Sequence, residues 1–551
     1  MSAAGTEQVE SAANALRVAE EEEVAEGGVL TRDGALTRET LPPPTLQPEP
    51  RGRIARVRTC ALWGLETALI AVEADVANGL PHFTIVGLPD TAVSEARERV
   101  RSAIRTSGFE FPLRRIVVNL APAERRKEGT GFDLAIALAI LRASGQLETE
   151  VDGLCLGELG LDGALRAVHG VMPRILRALE NGIERAYVPV ENAAEAAALG
   201  SDAVPLPSLR AAVEHLEGRT RLAYAPTPLP AREPVWDVDL ADIAGQETPK
   251  RALEIAAAGG HNLLFIGPPG TGKTMLARAL PSILSPLEPD EVLLASAIHS
   301  VAGLTDPDRP LLTARPFRAP HHTASRLALV GGGVPPRPGE VSLAHTGALF
   351  LDEVVEFPKS VLETMREPLE EGSITISRAG SSATYPARFT LIAAQNPCPC
   401  GRLGDPDAQC TCLPDAVARY RTRISGPLLD RIDMRVAVPR IPYRELRERR
   451  PRESSTEVRS RVRHARERMR ARLQGTGRRC NAEMTKREVE RSCDLDETAE
   501  RMISSAVAVR RISARGYHRT LRVARTIADL ADRDEIASEH VAMALLLRGD
   551  T

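Results

Sequence analysis

Residues Gly267-Pro268-Pro269-Gly270-Thr271-Gly272-Lys273-Thr274 form a run suited to holding phosphate. Glycines at 270 and 272 let backbone N–H groups turn inward around phosphate oxygens, and a helix opening there adds the partial positive charge of its N-terminus. Lys273 then neutralises the β- and γ-phosphates, and Thr274 ligates Mg²⁺. A second run, Gly347-Ala-Leu-Phe-Leu-Asp-Glu353, ends in two acids. A carboxylate at a strand end beside a phosphate loop serves Mg²⁺, the role expected of Asp352. Glu353 is then placed to orient or deprotonate the attacking water. A third run, Phe389-Thr-Leu-Ile-Ala-Ala-Gln-Asn396, ends in an amide that can hold the water or the γ-phosphate from the other side, so Asn396 is the expected sensor. ATP and Mg²⁺ are the cofactors this set requires.

Such side chains work only if folded elements deliver them to one place. The apolar run Asn262-Leu-Leu-Phe-Ile266 precedes the phosphate loop and the helical pattern Met275–Leu280 follows it, giving strand, loop and helix in order. Residues 347–353 and 389–396 read as two more strands. Between them, residues 373–388 alternate around a glycine-containing turn and predict a hairpin leading into the sensor strand. Upstream, Ile54 to Leu216 mixes strand patterns (Phe83–Val86, Arg115–Asn119) with helices opening at Asp90 and spanning Phe132–Arg142, which predicts one α+β domain. The acidic run Glu20–Glu23 and Pro42–Pro44 mark a disordered tail over 1–52. The expected order is then a domain over 53–218, a proline-rich linker over 219–237, the nucleotide-binding core over 238–442, and an arginine-rich helix with further helices over 443–551.

At 551 residues the chain is too long for a single core. No apolar run reaches membrane-spanning length, and the N-terminus is acidic where a signal peptide is basic and then apolar. A cytoplasmic location with no membrane partner is expected. Aromatic residues make up only 3% of the chain, so any grip on nucleic acid must come from charge rather than base stacking. The segment Arg444–Arg479 concentrates arginine, and two readings stand: a solvated helix face with internal Glu–Arg pairs, or a DNA contact. Cys398-Pro-Cys400 and Cys410-Thr-Cys412 are two knuckles nine residues apart. They provide either a four-thiolate Zn²⁺ site or free buried thiols. The adjacent His321 and His322 read as structural residues first.

Taken together, the phosphate loop, the acid-ended strand, Arg315-Pro-Phe-Arg-Ala-Pro-His-His-Thr323, Asn396-Pro-Cys-Pro-Cys-Gly401 and Ser513-Ala-Arg-Gly-Tyr-His-Arg519 resemble the ComM/YifB group of magnesium-chelatase-like AAA+ ATPases. The resemblance runs from about residue 53 to residue 549. It implies an α/β and α+β multidomain fold: a Lon-protease-like (S5-type) N-terminal α+β domain, an AAA+ P-loop α/β domain of the chelatase, helix-2-insert type, and a C-terminal helical lid. It further implies a homo-hexameric ring acting on branched or single-stranded DNA, as a helicase or branch-migration motor in natural transformation alongside recombination proteins. Arg431 is the implied arginine finger, with Arg423 second. Arg522 is favoured as the lid sensor over Arg515 and Arg519, and Arg378 is the DNA-gripping residue at the hairpin tip. Gly331–Gly333 with Val334–Pro338 forms a flexible second pore loop on this comparison. Lon proteases use a serine-lysine dyad; here the matching positions hold Gly131 and Met172, so the domain is expected to be proteolytically inactive. A chelatase-type subunit driving metal insertion and a protein-remodelling ATPase are the alternatives.

Overall fold

Antiparallel strands with alternating burial open the fold. Ile54–Trp63 pairs with Glu66–Ala77 from Ile54 opposite Asp75 to Trp63 opposite Glu66, and Val57, Ala61, Ile70, Val72 and Ala74 face the core. The computed structural model describes residues 54–224, 236–378, 381–405, 408–447, 452–510 and 512–549. The expected tail over 1–52 and residues 225–235 of the expected linker lie outside the described residues. Contacts divide the chain into two units, Met1–Leu229 with Glu288–Leu312 and Pro230–Leu287 with Thr313–Thr551.

The first unit is a mixed seven-stranded sheet in the order His82–Val86, Arg115–Ala121, Glu66–Ala77, Ile54–Trp63, Leu154–Cys155, Arg185–Pro189, Asp202–Leu206. Helix Thr91–Thr106 starts where its sequence signal lies, because the Asp90 carboxylate accepts from Val93 N at 2.7 Å. Helix Asp133–Ala143 is buried along nearly its whole length, as its unbroken run of Leu, Ala and Ile requires. A second apolar cluster of this unit recruits Leu293 and Ala297 from helix Pro289–Ala302. That helix lies within the span expected for the nucleotide-binding core, yet it groups with the N-terminal unit. Leu293, Ala297 and Ser300 share one face at helical spacing, and Met172 N donates to Ser300 Oγ at 3.3 Å.

The second unit holds an all-parallel five-stranded sheet, ordered Phe317–Arg318, Ala348–Leu351, Thr390–Gln395, Leu263–Ile266, Met434–Ala437. Its inner strands are buried on both faces, so they read as continuous apolar runs rather than alternating ones. The C-terminal helices share this core. Val458, Val462, Ala465 and Met469 of helix Ser455–Arg472 and Leu521, Ala524 and Ile527 of helix Ala514–Leu530 pack with Leu263, Phe265 and Leu276. The hairpin forms where alternation predicts it, with Ser373–Arg378 paired to Ser381–Pro386.

Candidate nucleotide site

Parallel strands end on one edge of a sheet, and here register brings the three chemistry-bearing ends together. Ile266 lies opposite Gln395 and Leu351 opposite Ala393, so the phosphate loop, Asp352 and Asn396 all leave the sheet at its C-terminal edge, where ligands of open α/β sheets bind. Gly267 is required by close approach: a Cβ there would lie 2.2 Å from Val438 O. Gly270 and Gly272 are required by backbone angle instead, with φ of +78° and +91° and open space around them. The loop then opens helix Lys273–Ile283, with Gly272 as its N-cap.

Lys273 Nζ is held by Gly267 O at 2.7 Å, Pro268 O at 2.9 Å and Asn396 Oδ1 at 3.1 Å. Burial pulls the ammonium below the usual lysine range, and the carboxylates of Asp352 and Glu353 pull it back up. Thr274 Oγ1 donates to Asp352 Oδ2 at 2.8 Å. This hydroxyl–carboxylate pair is the donor set Mg²⁺ uses in P-loop sites, so the residues fit the ion. Glu353 has φ +48°, a left-handed backbone in a non-glycine residue. Such strain concentrates at working sites. Its carboxylate is half exposed, with His322 Nδ1 3.8 Å away.

Three supporting residues escaped sequence reasoning. Asn262 ties two segments together at the N-terminal ends of the sheet strands: its backbone N donates to Asp433 at 2.9 Å and its Nδ2 to Arg431 O at 2.9 Å, while its Oδ1 accepts from Leu391 N at 2.8 Å. A polar residue opening an apolar strand was its only signal. Gln246 Nε2 donates to Pro439 O at 2.7 Å and to Thr271 O at 3.3 Å. His322, read as structural, stands beside Glu353.

Residues 239–446 match the family described as magnesium chelatase, subunit ChlI; residues 72–192 match the subunit ChlI of Mg-chelatase family, and residues 452–548 its C-terminal family. The chain is 44% identical to the YifB protein of Salmonella typhimurium over 499 residues, 90% of this chain and 97% of the relative. It is 42% identical to the competence protein ComM of Haemophilus influenzae over 502 residues, 89% of this chain and 97% of the relative. The chain belongs to the ComM/YifB group of magnesium-chelatase-like proteins. Part of this ComM/YifB chain is also 30% identical to the Lon protease of Rhizobium meliloti, over 136 residues covering 23% of the chain and 17% of the relative.

In this ComM/YifB chain Gly131 and Met172, the positions expected to match the Lon dyad, both lie in the N-terminal unit. Met172 is core, and its backbone N donates to Glu195 at 3.1 Å. The basic residue facing Gly131 is Arg174, two positions on; a Cβ on Gly131 would meet Arg174 Nη1 at 2.9 Å. Gly131 itself carries no nucleophile.

Arg431 is buried, pairs with Glu370 and donates to Pro427 O at 2.7 Å. Arg423 is 54% exposed and bonds Glu356 at 3.1 Å. Glu370 also lies 3.6 Å from Arg515 and belongs to helix Arg366–Glu371, which runs directly into the hairpin. Arg522 donates to Ala482 O at 3.1 Å, inside the C-terminal segment. Among the three lid arginines, Arg519 is the one beside the core carboxylate Asp433, at 3.9 Å. Arg378 closes the first hairpin strand, opposite Ser381, and its side chain lies outside the described residues. The glycine run 331–333 enters a short hairpin: Gly331–Gly332 pairs with Arg337–Pro338, and Tyr385 Oη donates to Pro336 O at 2.8 Å.

Several arginines of helix Ser455–Arg472 pair with other segments of the second unit. Arg461 bonds Glu254 at 2.7 Å, Arg468 bonds Asp532 at 2.7 Å and Arg472 bonds Asp529 at 2.8 Å, while Arg459 and Arg466 donate to the carbonyls of Ser282 and Ala257. The four clustered cysteines come together: Cys398, Cys400, Cys410 and Cys412 place their sulfurs within 4.8 Å of one another. Backbone N–H groups of Arg402 and Thr411 pull the Cys400 thiol down to about 6. Among the described residues no helix is long and apolar enough to cross a membrane.

Proposed function

We propose that this chain is an ATP-hydrolysing, ring-forming DNA motor that unwinds or branch-migrates recombination intermediates during natural transformation. The observation that carries the proposal is the shared sheet edge, where Lys273 meets Asn396 and Thr274 meets Asp352. Its kinship with the competence protein ComM of Haemophilus influenzae supports the choice of DNA as the track.

On this reading Lys273 neutralises the β- and γ-phosphates, and Thr274 and Asp352 hold the Mg²⁺ that offsets the developing charge. Glu353, steadied by His322, orients the attacking water, and Asn396 holds it from the opposite side. Charge developing on the γ-phosphoryl group is met by an arginine from the next subunit of a hexamer, a contact worth about 10³ to 10⁵ in rate. Arg431 is assigned that role; to act it must leave Glu370, which ties the finger to the helix feeding the hairpin. Arg522, ahead of Arg515 and Arg519, senses the nucleotide from the lid. Arg378 grips the phosphate backbone without reading sequence. The Lon-like unit is proteolytically silent and serves assembly or DNA contact, and the four cysteines hold a structural Zn²⁺. The motor works in the cytoplasm with recombination proteins.

Purified chain with ATP and Mg²⁺ on a three-stranded DNA joint tests the proposal. ATP-dependent strand displacement, with turnover stimulated by forked DNA, is the expected result. Turnover stimulated only by protein partners points to remodelling, and stimulation only by a porphyrin-inserting complex points to the chelatase role; either outcome overturns the DNA motor.

A further inference from the structure

The sensor strand Thr390–Gln395 ends at Asn396, and within five residues the chain has passed through Cys398 and Cys400 to Gly401. It returns through Cys410 and Cys412 before helix Pro414–Arg421. Sulfur separations are 3.4 Å for Cys398–Cys400, 3.7 Å for Cys398–Cys410 and 3.6 Å for Cys400–Cys410. A tetrahedron of sulfurs each about 2.3 Å from a central Zn²⁺ has edges of about 3.8 Å. The cluster therefore has the dimensions of a tetrathiolate site, and its sulfurs stand well beyond the length of about 2.05 Å of a disulfide. Soft thiolates in a tetrahedral set select Zn²⁺ over the harder cations that oxygen ligands hold.

What this loop touches gives the metal a consequence. Gly401, at φ +77°, lies so close against the phosphate loop that a Cβ on it would stand 2.7 Å from Pro269 Cδ and 4.0 Å from Asn396 Cγ. Further along, the almost fully buried Asp405 carboxylate accepts from Arg440 Nε at 2.8 Å. Arg440 follows Pro439, whose carbonyl accepts from Gln246, and Gln246 also donates to Thr271 of the phosphate loop. The cysteine loop thus bears on the phosphate loop at Pro269 directly and at Thr271 through Arg440 and Gln246, while its first residue is the partner of Lys273.

We propose that the four cysteines bind one Zn²⁺ whose occupancy controls the nucleotide site, because the metal clasp seats Gly401 on Pro269 and holds Asn396 against Lys273. This rests on the zinc reading given above and extends it from structural staple to control element. Metal binding and local folding are one equilibrium in such loops. Release of the ion frees the loop, and Pro269 and Asn396 lose their support together. Cys398–Cys412 is then a point at which zinc depletion or thiol-modifying reagents silence the ATPase without touching the phosphate-binding residues.

The test uses the full chain, purified with reducing agent and without chelator, at constant excess Mg²⁺. Elemental analysis gives zinc per chain, Co²⁺ substitution reports tetrahedral thiolate ligation, and a fluorescent ATP analogue and phosphate release report affinity and turnover. The expected result is one zinc per chain, lost in a Cys410→Ser/Cys412→Ser double variant. Stripping the wild type lowers kcat by about 10²-fold, the loss that a misplacement of about 1 Å produces at an active site, and adding Zn²⁺ restores it. Gly401→Ala retains the metal but shows weakened analogue binding, which separates the clasp from general unfolding. A chain that binds neither zinc nor tetrahedral Co²⁺ overturns the zinc reading. A chain that binds zinc yet keeps its analogue affinity and kcat when stripped, or in Gly401→Ala, overturns only the control role. Analogue affinity is readable without turnover or DNA, so failure of the motor proposal shows up separately, as a zinc-loaded chain that binds nucleotide and never hydrolyses it.

Discussion

Replacing Asn396 by Ala deletes one of the three acceptors around Lys273 Nζ and leaves the carbonyls of Gly267 and Pro268 at 2.7 and 2.9 Å. Hydrogen bonds to charged groups contribute about 1.5–3 kcal/mol. The Asn396 bond is the longest of the three at 3.1 Å and only partly buried, which places it at the lower figure. About 1.5 kcal/mol corresponds to roughly a tenfold fall in kcat when the bond matters to the transition state. Loss of the amide's hold on water or γ-phosphate adds to that, so the expected fall is about tenfold or more, with affinity for the nucleotide changed by less than about threefold. Steady-state phosphate release at saturating Mg²⁺ and ATP gives kcat, and a fluorescent analogue gives affinity. Asn396→Asp supplies the control. It keeps an oxygen for Lys273 but replaces the amide donor with a charge that repels the γ-phosphate, so kcat stays low. If Asn396→Ala turns over within about twofold of wild type, the sensor assignment is wrong. If Asn396→Asp is fully active, the residue only tethers the lysine.

Glu353→Gln should keep Mg²⁺-dependent ATP binding while kcat falls by about 10²- to 10⁴-fold, the range for a lost general base; equal turnover removes the carboxylate from catalysis. Arg378→Ala should leave ATP affinity intact and reduce the salt dependence of DNA binding by about one unit of slope, and unchanged unwinding would take the hairpin out of the DNA path. Asp529 is fully buried among Arg472, Arg525 and Asn481, at 2.8, 3.1 and 2.8 Å. Asp529→Ala therefore strands two guanidiniums and should destabilise the C-terminal helices by about 3–5 kcal/mol; an unfolding midpoint equal to wild type shows that the network does not hold this segment.

What was legible in the sequence rests on short-range rules. The phosphate loop declares itself because its glycines, lysine and threonine must follow one another, and the hairpin at 373–386 declares itself because alternation has a period of two. Strands such as Leu263–Ile266 and Ala348–Leu351 were readable as strands from their unbroken apolar runs, while their parallel pairing came from the structure. The Lon-like comparison located Gly131 and Met172, whereas the approach of Arg174 to Gly131 depends on helix phase, which no motif states.

The sequence by itself determined the inventory: a nucleotide loop, two acids, an amide and four thiols, each placed at the end of a local element. Only tertiary structure decided their meetings. Glu370 beside Arg431, His322 beside Glu353 and Gly401 on Pro269 join segments separated by tens of residues. Tertiary packing likewise assigned helix Pro289–Ala302 to the N-terminal unit and turned the arginines of Ser455–Arg472 onto internal partners. Local periodicity states which face of an element is apolar or charged. Which partner covers that face depends on strand order and helix docking, and no window of neighbouring residues contains that information.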